Sequence, residues 1–478
     1  MCLRLRLRWL CLRLRRGRTM SFVLPSRANG KRKAFQPGMY SYREEGEGYS
    51  AQVHLRIDAD DRGLLLVNAN RVLHLNPSAA FMAWLALEGF PVREAVARLK
   101  RRYRGDRSLL QQDFEETART IADFIQPDGP CPVHELDLDI LPPFSASPSA
   151  PYRMDLALTY RCNLNCAHCY NARARDYPEL DTEAWKAIID RCWDVGIPHI
   201  CFTGGESTLR NDLPELIHHA QSNGQITGLL TNGVRLSDGD YLHTLAEAGL
   251  DHVQITLESL DAGIHDSMVA VPGAWEKTVQ GIRNVVEEDL YLMTNTTLLA
   301  HNAHLAVDTV DFLADLGVPT VGFNALIYAG KGSTVGTGIP AEDLEPILVG
   351  VRERTAVHAQ RLIWYTPTQY CHFDPMQLEL GVKGCSAARY NMCVEPNGDV
   401  IPCQSFYSPV GNMLQDDWDS IWNHKLCTWI RNREYVREEC ETCPMLTQCG
   451  GGCPLLLMNN EQAVPQNLAF LDDALATR

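Results

Sequence analysis

The sequence predicts an α/β protein in three parts, and three observations carry that reading. Between residues 152 and 366, apolar strand-like runs alternate with amphipathic helical stretches. Before them, residues 39–126 read as three short strands and then three helices, a winged-helix-like α+β unit. After them, residues 367–460 carry nine of the chain's 17 cysteines at close, regular spacings. Repeated βα units with short connections build a parallel sheet. Six units fit here, and the length does not suffice for eight.

Composition narrows the function classes. The chain has 478 residues, is 45% hydrophobic and 22% charged, and so fits several globular domains. It has no apolar run long enough to span a bilayer, so no membrane partner is expected. The net charge of −15 argues against a nucleic-acid-binding surface. Length and α/β pattern separate the cysteines from a secreted disulfide scaffold, and their clustering reads as metal ligation. Labile metal clusters call for a reducing compartment, which points to the cytoplasm.

Residues 1–38 form a basic tail. Met1–Thr19 holds seven arginines and no acid, and Met20, where ordinary sequence begins, is the expected start rather than a functional basic extension. Strands are expected at Gln52–Ile57, Gly63–Asn68 and Arg71–Leu75, with Asn68–Asn70 as a turn. Asn76-Pro77-Ser78 opens a helix, with Ser78 as candidate cap. Helices follow at about 78–88, 92–103 and 108–125. Residues 127–151 are a Pro/Ser-rich linker. Strands are then expected at 154–160, 198–202, 226–231, 252–257, 291–298, 319–325 and 361–366. Helices alternate with them near 182–195, 212–222, 239–248, 274–288, 304–316 and 341–359. Residues 461–478 are a tail.

The chemistry concentrates in Cys162-Asn-Leu-Asn-Cys166-Ala-His-Cys169, just after the first strand of the parallel sheet. Three thiolates on one loop can hold three irons of a cubane and leave the fourth iron open to a small molecule. A structural zinc site is the alternative, but it usually takes four ligands. A second motif, Thr203-Gly204-Gly205-Glu206, follows the apolar run Ile200–Phe202.

The C-x3-C-x2-C spacing with this Gly-Gly-Glu segment resembles the radical S-adenosylmethionine (SAM) enzymes. The resemblance implies a partial (β/α)6 barrel with a lateral mouth and a [4Fe–4S] cluster on Cys162, Cys166 and Cys169. It also implies SAM near Thr203, Gly204, Gly205 and Glu206, with Asn232, Thr256 and Glu258 as candidate adenosine contacts. In this family an electron from a donor such as flavodoxin or ferredoxin cleaves SAM. The resulting 5′-deoxyadenosyl radical takes hydrogen from substrate. His168 stands where the family usually has an aromatic, and Ser207 where many members have proline.

The later cysteines run Cys385-x12-Gly398-x4-Cys403, then Cys440-x2-Cys443-x5-Cys449-x3-Cys453. Asn397-Gly398 is a strong hairpin signal and sets Cys403 at a strand end. This pattern resembles the SPASM domain, which holds one or two auxiliary [4Fe–4S] clusters. A zinc ribbon is the alternative. The resemblance implies that Cys385, Cys403 and Cys453 share one cluster and that Cys440, Cys443 and Cys449 share the other. Cys393, ten residues before Cys403, is the candidate fourth ligand of the first. The usual final cysteine has no counterpart after Cys453. Cys371 is the remaining spare thiol of this region. Cys192, Cys201 and Cys427 read as packing.

The stretch Leu64–Ala80 resembles the small peptide chaperone of pyrroloquinoline quinone biosynthesis. That likeness implies a leader-peptide recognition unit, in which an extended peptide adds to a strand edge near Leu64–Leu75. Three functions remain open on these grounds. They are a peptide-modifying radical SAM oxidoreductase, a radical SAM enzyme acting on a small molecule such as a tetrapyrrole, and a non-enzymatic electron carrier or sensor. The intact cysteine triad with Gly204-Gly205-Glu206 argues against the third.

Overall fold

The computed structural model describes residues 34–46, 49–68, 71–126, 148–172, 177–288 and 290–459. The arginine-rich stretch before Met20, nearly all of the Pro/Ser-rich segment and the tail from residue 460 lie outside the described residues.

The N-terminal unit is an antiparallel meander of four strands, not three. β1 (Gly38–Gly46), β2 (Tyr49–Ile57), β3 (Gly63–Val67) and β4 (Arg71–Leu75) pair in chain order. The first strand gives little signal because its buried residues, Met39, Tyr40 and Tyr42, crowd one end and the charged run Arg43–Glu45 follows. Every residue of β3 is buried, so it is an interior strand, and the open edge near Leu64–Leu75 belongs to β4 alone. Helices Pro77–Leu87, Val92–Arg102 and Arg107–Ile125 cover one face, with Phe81, Trp84, Leu99 and Phe114 in the core. The first helix is capped by Asn76, whose side chain accepts from the Ala79 amide at 2.9 Å. Ser78 is not the cap. It donates to Asn76 Oδ1 instead, inside the first turn that proline at N1 favours.

The second layer is one continuous sheet in the order β11-β10-β9-β8-β7-β6-β5-β12-β13-β14. β5 (Arg153–Thr159), β6 (His199–Gly204), β7 (Ile226–Thr231), β8 (His252–Thr256), β9 (Tyr291–Leu298), β10 (Thr320–Ala325) and β11 (Arg361–Trp364) run parallel. Their register puts all the strand carboxyl ends on one rim. The sheet ends at β11 and β14 rather than closing on itself, so the barrel is partial and open at the side. Trp185, Phe202 and Phe323 lie among the largest fully buried side chains of this layer.

In this layer two features depart from the sequence reading. A helix, Ala262–Val269, follows β8 and comes before Ala274–Glu287. The cysteine-rich hairpin also does not stand apart. β12 (Asn391–Val394) pairs in parallel with β5, and β13 (Asp399–Ile401) and β14 (Gly411–Asn412) extend the same sheet. Cys393 thereby lies opposite Asp155.

The N-terminal sheet seats on the amino-terminal rim of the parallel sheet. Arg56, buried on β2, donates to the Ala150 carbonyl at 3.1 Å and the Gly196 carbonyl at 3.2 Å, and pairs with Asp58. His54 Nε2 lies 2.6 Å from the Gly224 carbonyl. Burial lowers the His54 pKa to about 4, against the partial opposition of that carbonyl. His252, 2.8 Å from His199 by Nε2–Nε2, is likewise lowered to about 4 by burial and then by Arg153. A histidine whose folded pKa lies below its unfolded value contributes fully above the unfolded pKa. That contribution is lost as pH falls toward the folded pKa. Unfolding midpoints should therefore drop between pH about 6.5 and about 4. His54→Gln and His252→Gln should each flatten that slope in denaturant titrations across this window.

Candidate iron–sulfur and cofactor site

The cysteine loop leaves β5 at the carboxyl rim and is fixed from three sides. Gly205 N donates to the Thr159 carbonyl at 2.7 Å and Glu206 N to the Arg161 carbonyl at 2.9 Å, just before Cys162. At this approach no side chain fits. A Cβ on Gly205 would lie 2.4 Å from the Arg161 oxygen and 2.6 Å from the Tyr160 oxygen. The two glycines therefore permit close contact between two backbone segments.

On the second side, the amides of Asn165 and Ala167 donate to the Val269 and Met268 carbonyls at the end of helix Ala262–Val269, each at 3.0 Å. On the third, the Lys331 amide donates to the Cys169 carbonyl at 3.0 Å, and Lys331 Nζ reaches Asn165 Oδ1 at 2.6 Å. Gly330, at φ 54°, makes that contact possible, since a Cβ there would meet the Tyr170 oxygen at 2.4 Å. Sequence reasoning missed both supports. Gly330 and Gly332 in a short polar turn were the available signal.

Cys162, Cys166 and Cys169 come close enough for their charges to interact. Burial raises the Cys162 pKa to about 11, with Glu206 and Cys169 adding to the rise. Burial also pushes Cys166 up strongly, followed by the charges of Glu258, Cys169 and Cys162. Three partly covered thiols facing one another and two carboxylates make a site that a cationic metal group relieves, since metal ligation deprotonates thiols. The donors present fit an iron–sulfur cluster.

The expected SAM residues divide into groups. Thr203, Gly204, Gly205 and Glu206 stand at the end of β6 beside the cysteine loop, Asn232 directly follows β7, and Thr256 ends β8. Glu206 is buried, and its Oε1 accepts from the Thr208 amide, the Thr208 hydroxyl and Thr231 at 3.1, 2.7 and 2.9 Å. Its Oε2 accepts from the Asn232 amide at 2.8 Å. Burial raises its pKa against those donors. Asn232 Nδ2 donates to Asn163 Oδ1 at 2.7 Å, tying β7 to the cysteine loop. Glu258 is 1% exposed, and both its oxygens have protein partners. His168 Nε2 lies at 2.9 Å and the Thr297 amide at 2.9 Å. Burial lowers the His168 pKa, but Glu258 outweighs it and the net shift is upward. The histidine that replaces the usual aromatic is thus locked to the rim by a carboxylate.

The C-terminal region closes on this loop. Tyr407 donates to the Tyr170 carbonyl and to Asn171 Oδ1, both at 2.7 Å, and Tyr170 donates to Gln404 at 3.1 Å. Tyr160 donates to Glu395 at 2.9 Å. None of the fourteen described cysteines is in a disulfide. Cys385, Cys403 and Cys453 form one neighbourhood, each of the first two raised by burial and then in part by Cys453. Cys393 is fully buried against Ala157 and Ile401, with Cys403 nearby. Cys440 and Cys449 belong to a second neighbourhood. Cys192, Cys201 and Cys427 are buried, as packing residues are.

Clustered thiols on the carboxyl rim of an open parallel sheet, with two further thiol groups built against it, define an iron–sulfur oxidoreductase. Residues 156–313 match the Radical SAM superfamily, and residues 385–444 match an iron–sulfur cluster-binding domain, SPASM. The chain is 31% identical over 316 residues to a PqqA peptide cyclase of Streptomyces rochei, covering 64% of this chain and 84% of that protein. It is 29% identical over 325 residues to an Fe-coproporphyrin III synthase of Methanosarcina barkeri, covering 62% and 81%. The fold is similar to that of Streptococcus suis SuiB, solved bound to its precursor peptide SuiA. The TM-score is 0.65 at 17% identity, over 84% of this chain and 94% of that one. The chain belongs to the radical SAM superfamily, in the group that carries a SPASM domain.

The Gly205 contact gives a direct test of how the loop is held. Gly205→Ala should displace Cys162 and lower bound iron by about one cluster's worth, roughly four irons per chain. Far-UV circular dichroism should be unchanged. Iron analysis after anaerobic purification is the check.

Proposed function

We propose that the chain is a peptide maturase. Cys162, Cys166 and Cys169 would hold the SAM-binding cluster, and the N-terminal unit would hold the peptide. A [4Fe–4S] cluster at the triad supplies, together with SAM, reductive cleavage to a 5′-deoxyadenosyl radical that abstracts hydrogen. The chain's own residues position that chemistry. Glu206 orders the β6–β7 rim, Asn232 ties it to the cysteine loop, and the His168–Glu258 pair holds the segment before Cys169. Thr203, Gly204, Gly205, Thr256 and Asn232 line the place proposed for SAM. Cys385, Cys403 and Cys453, with Cys393 behind Cys403, and separately Cys440, Cys443 and Cys449, are proposed for two auxiliary clusters. A flavodoxin or ferredoxin is the proposed electron donor and the cytoplasm the proposed compartment. Among the described residues no helix is long and apolar enough to cross a membrane.

The observation that carries the peptide reading is the terminal strand β4, with Val72 exposed on it. An edge strand offers unpaired backbone groups to an extended chain. The open side of the barrel gives a large substrate entry. The names of two relatives, a peptide cyclase and a precursor-peptide complex, support the same class. The tetrapyrrole reading keeps one supporting fact, the likeness to an Fe-coproporphyrin III synthase.

Under anaerobic conditions with dithionite and SAM, the full chain should release 5′-deoxyadenosine, and Cys162→Ala, Cys166→Ala or Cys169→Ala should each abolish it. Continued release from the triple variant would reject the triad as the reactive site. Val72→Asp, which sets a charge on the β4 edge, should raise the peptide KM about tenfold, equal to roughly 1.4 kcal/mol, and leave uncoupled SAM cleavage unchanged. Equal KM values would move the small-molecule reading to first place.

A further inference from the structure

Two full cubanes take about eight protein ligands, and the SPASM spacing supplies six cysteines here. Of these six, the group at Cys440, Cys443 and Cys449 has three, which leaves one position of its cluster without an assigned ligand. We infer that Cys371, on the loop leaving β11, is the fourth thiolate of that group.

The loop is built against these cysteines. The Tyr370 amide donates to Cys449 Sγ at 3.4 Å, and Cys449 Sγ reaches the Thr368 carbonyl at 3.6 Å. Cys371 is the next residue. Amide-to-sulfur hydrogen bonds of the kind made by Tyr370 tune cluster thiolates. The loop is held in place rather than lying loose. The Thr368 amide donates to the Lys383 carbonyl at 3.0 Å, and the Lys383 amide donates to Tyr370 Oη at 3.1 Å. Gln369 presses on Gly452, where a Cβ would lie 2.7 Å from its Cγ.

The other spare thiols face elsewhere. Cys393 is buried among Ala157 and Ile401 with Asp155, Glu395 and Cys403 as its charged neighbours. Cys427 is buried in the main core. Cys371 by contrast is exposed, as a ligand at the rim of a cluster can be. A ligand from the segment after β11 would fasten this cluster to the barrel's edge strand as well as to the SPASM domain.

This inference rests on the auxiliary-cluster reading, and the test separates the two. The full chain is purified anaerobically with its metal and treated with iodoacetamide before and after iron is removed by a chelator. Each cysteine is then scored by mass spectrometry. Because a ligated thiolate is a poor nucleophile, Cys371 should alkylate about tenfold more slowly with iron bound, despite its exposure. In the Cys162→Ala/Cys166→Ala/Cys169→Ala background, Cys371→Ser should change the Mössbauer signature of one iron site and leave the total iron unchanged. Cys371→Ala should lose about one iron per chain. Rapid alkylation of Cys371 with iron retained, or an unaltered spectrum in Cys371→Ser, would overturn the assignment. Zinc in place of iron would instead overturn the auxiliary-cluster reading beneath it.

Discussion

The contact of Gly204-Gly205-Glu206 against the carbonyls of Thr159 and Arg161 is the constraint on which the site depends. It sets two adjacent strand ends at a distance that only glycine allows. From that fixed point the cysteine loop leaves β5 in one direction. The helix after β8 and the Gly330 turn then close on it with backbone hydrogen bonds. A cluster ligated by short side chains needs such a frame, since supporting shells orient metal ligands. The carboxylates of Glu206 and Glu258 complete it from below by engaging Thr231, Asn232, Thr297 and His168 rather than facing solvent.

The same economy joins the domains. β12 continues the parallel sheet beside β5, so the strand that carries Cys393 is registered directly against the strand that launches the cysteine loop. Tyr407, Gln404 and Glu395 then bind residues 160–171 through side chains. The cysteine-rich region and the barrel share one core, so the distance between their thiol groups is set by sheet geometry. The N-terminal unit contacts the opposite rim through Arg56 and His54. A peptide held at β4, as proposed, would therefore have to pass around the barrel, which suits a long extended substrate.

Much of this was legible in the sequence, for identifiable reasons. The βα alternation and the cysteine spacings are local patterns, and local patterns survive without coordinates. The strands of the barrel fell within a few residues of their places. What escaped was set by tertiary context. β1 has apolar residues only at Met39, Tyr40 and Tyr42 and is charged beyond them, Ser78 yielded the cap to Asn76, and helix Ala262–Val269 has almost no amphipathic signal. The pairing of β12 with β5 joins residues far apart in the chain, and no local pattern announces it. Glu258 illustrates the limit at the site. Its position on the rim was readable, but its partner His168 was not, because a buried ion pair between distant residues leaves no mark on spacing.

The central claim is that the triad holds a cluster with one iron open to SAM. Mössbauer spectroscopy of the iron-labelled full-length protein, with and without SAM, tests it most directly. The account predicts that SAM changes one iron site of one cluster, that the Cys162→Ala/Cys166→Ala/Cys169→Ala variant loses this response, and that the remaining clusters are unaffected. A spectrum unmoved by SAM, or a response that persists in that variant, would contradict it.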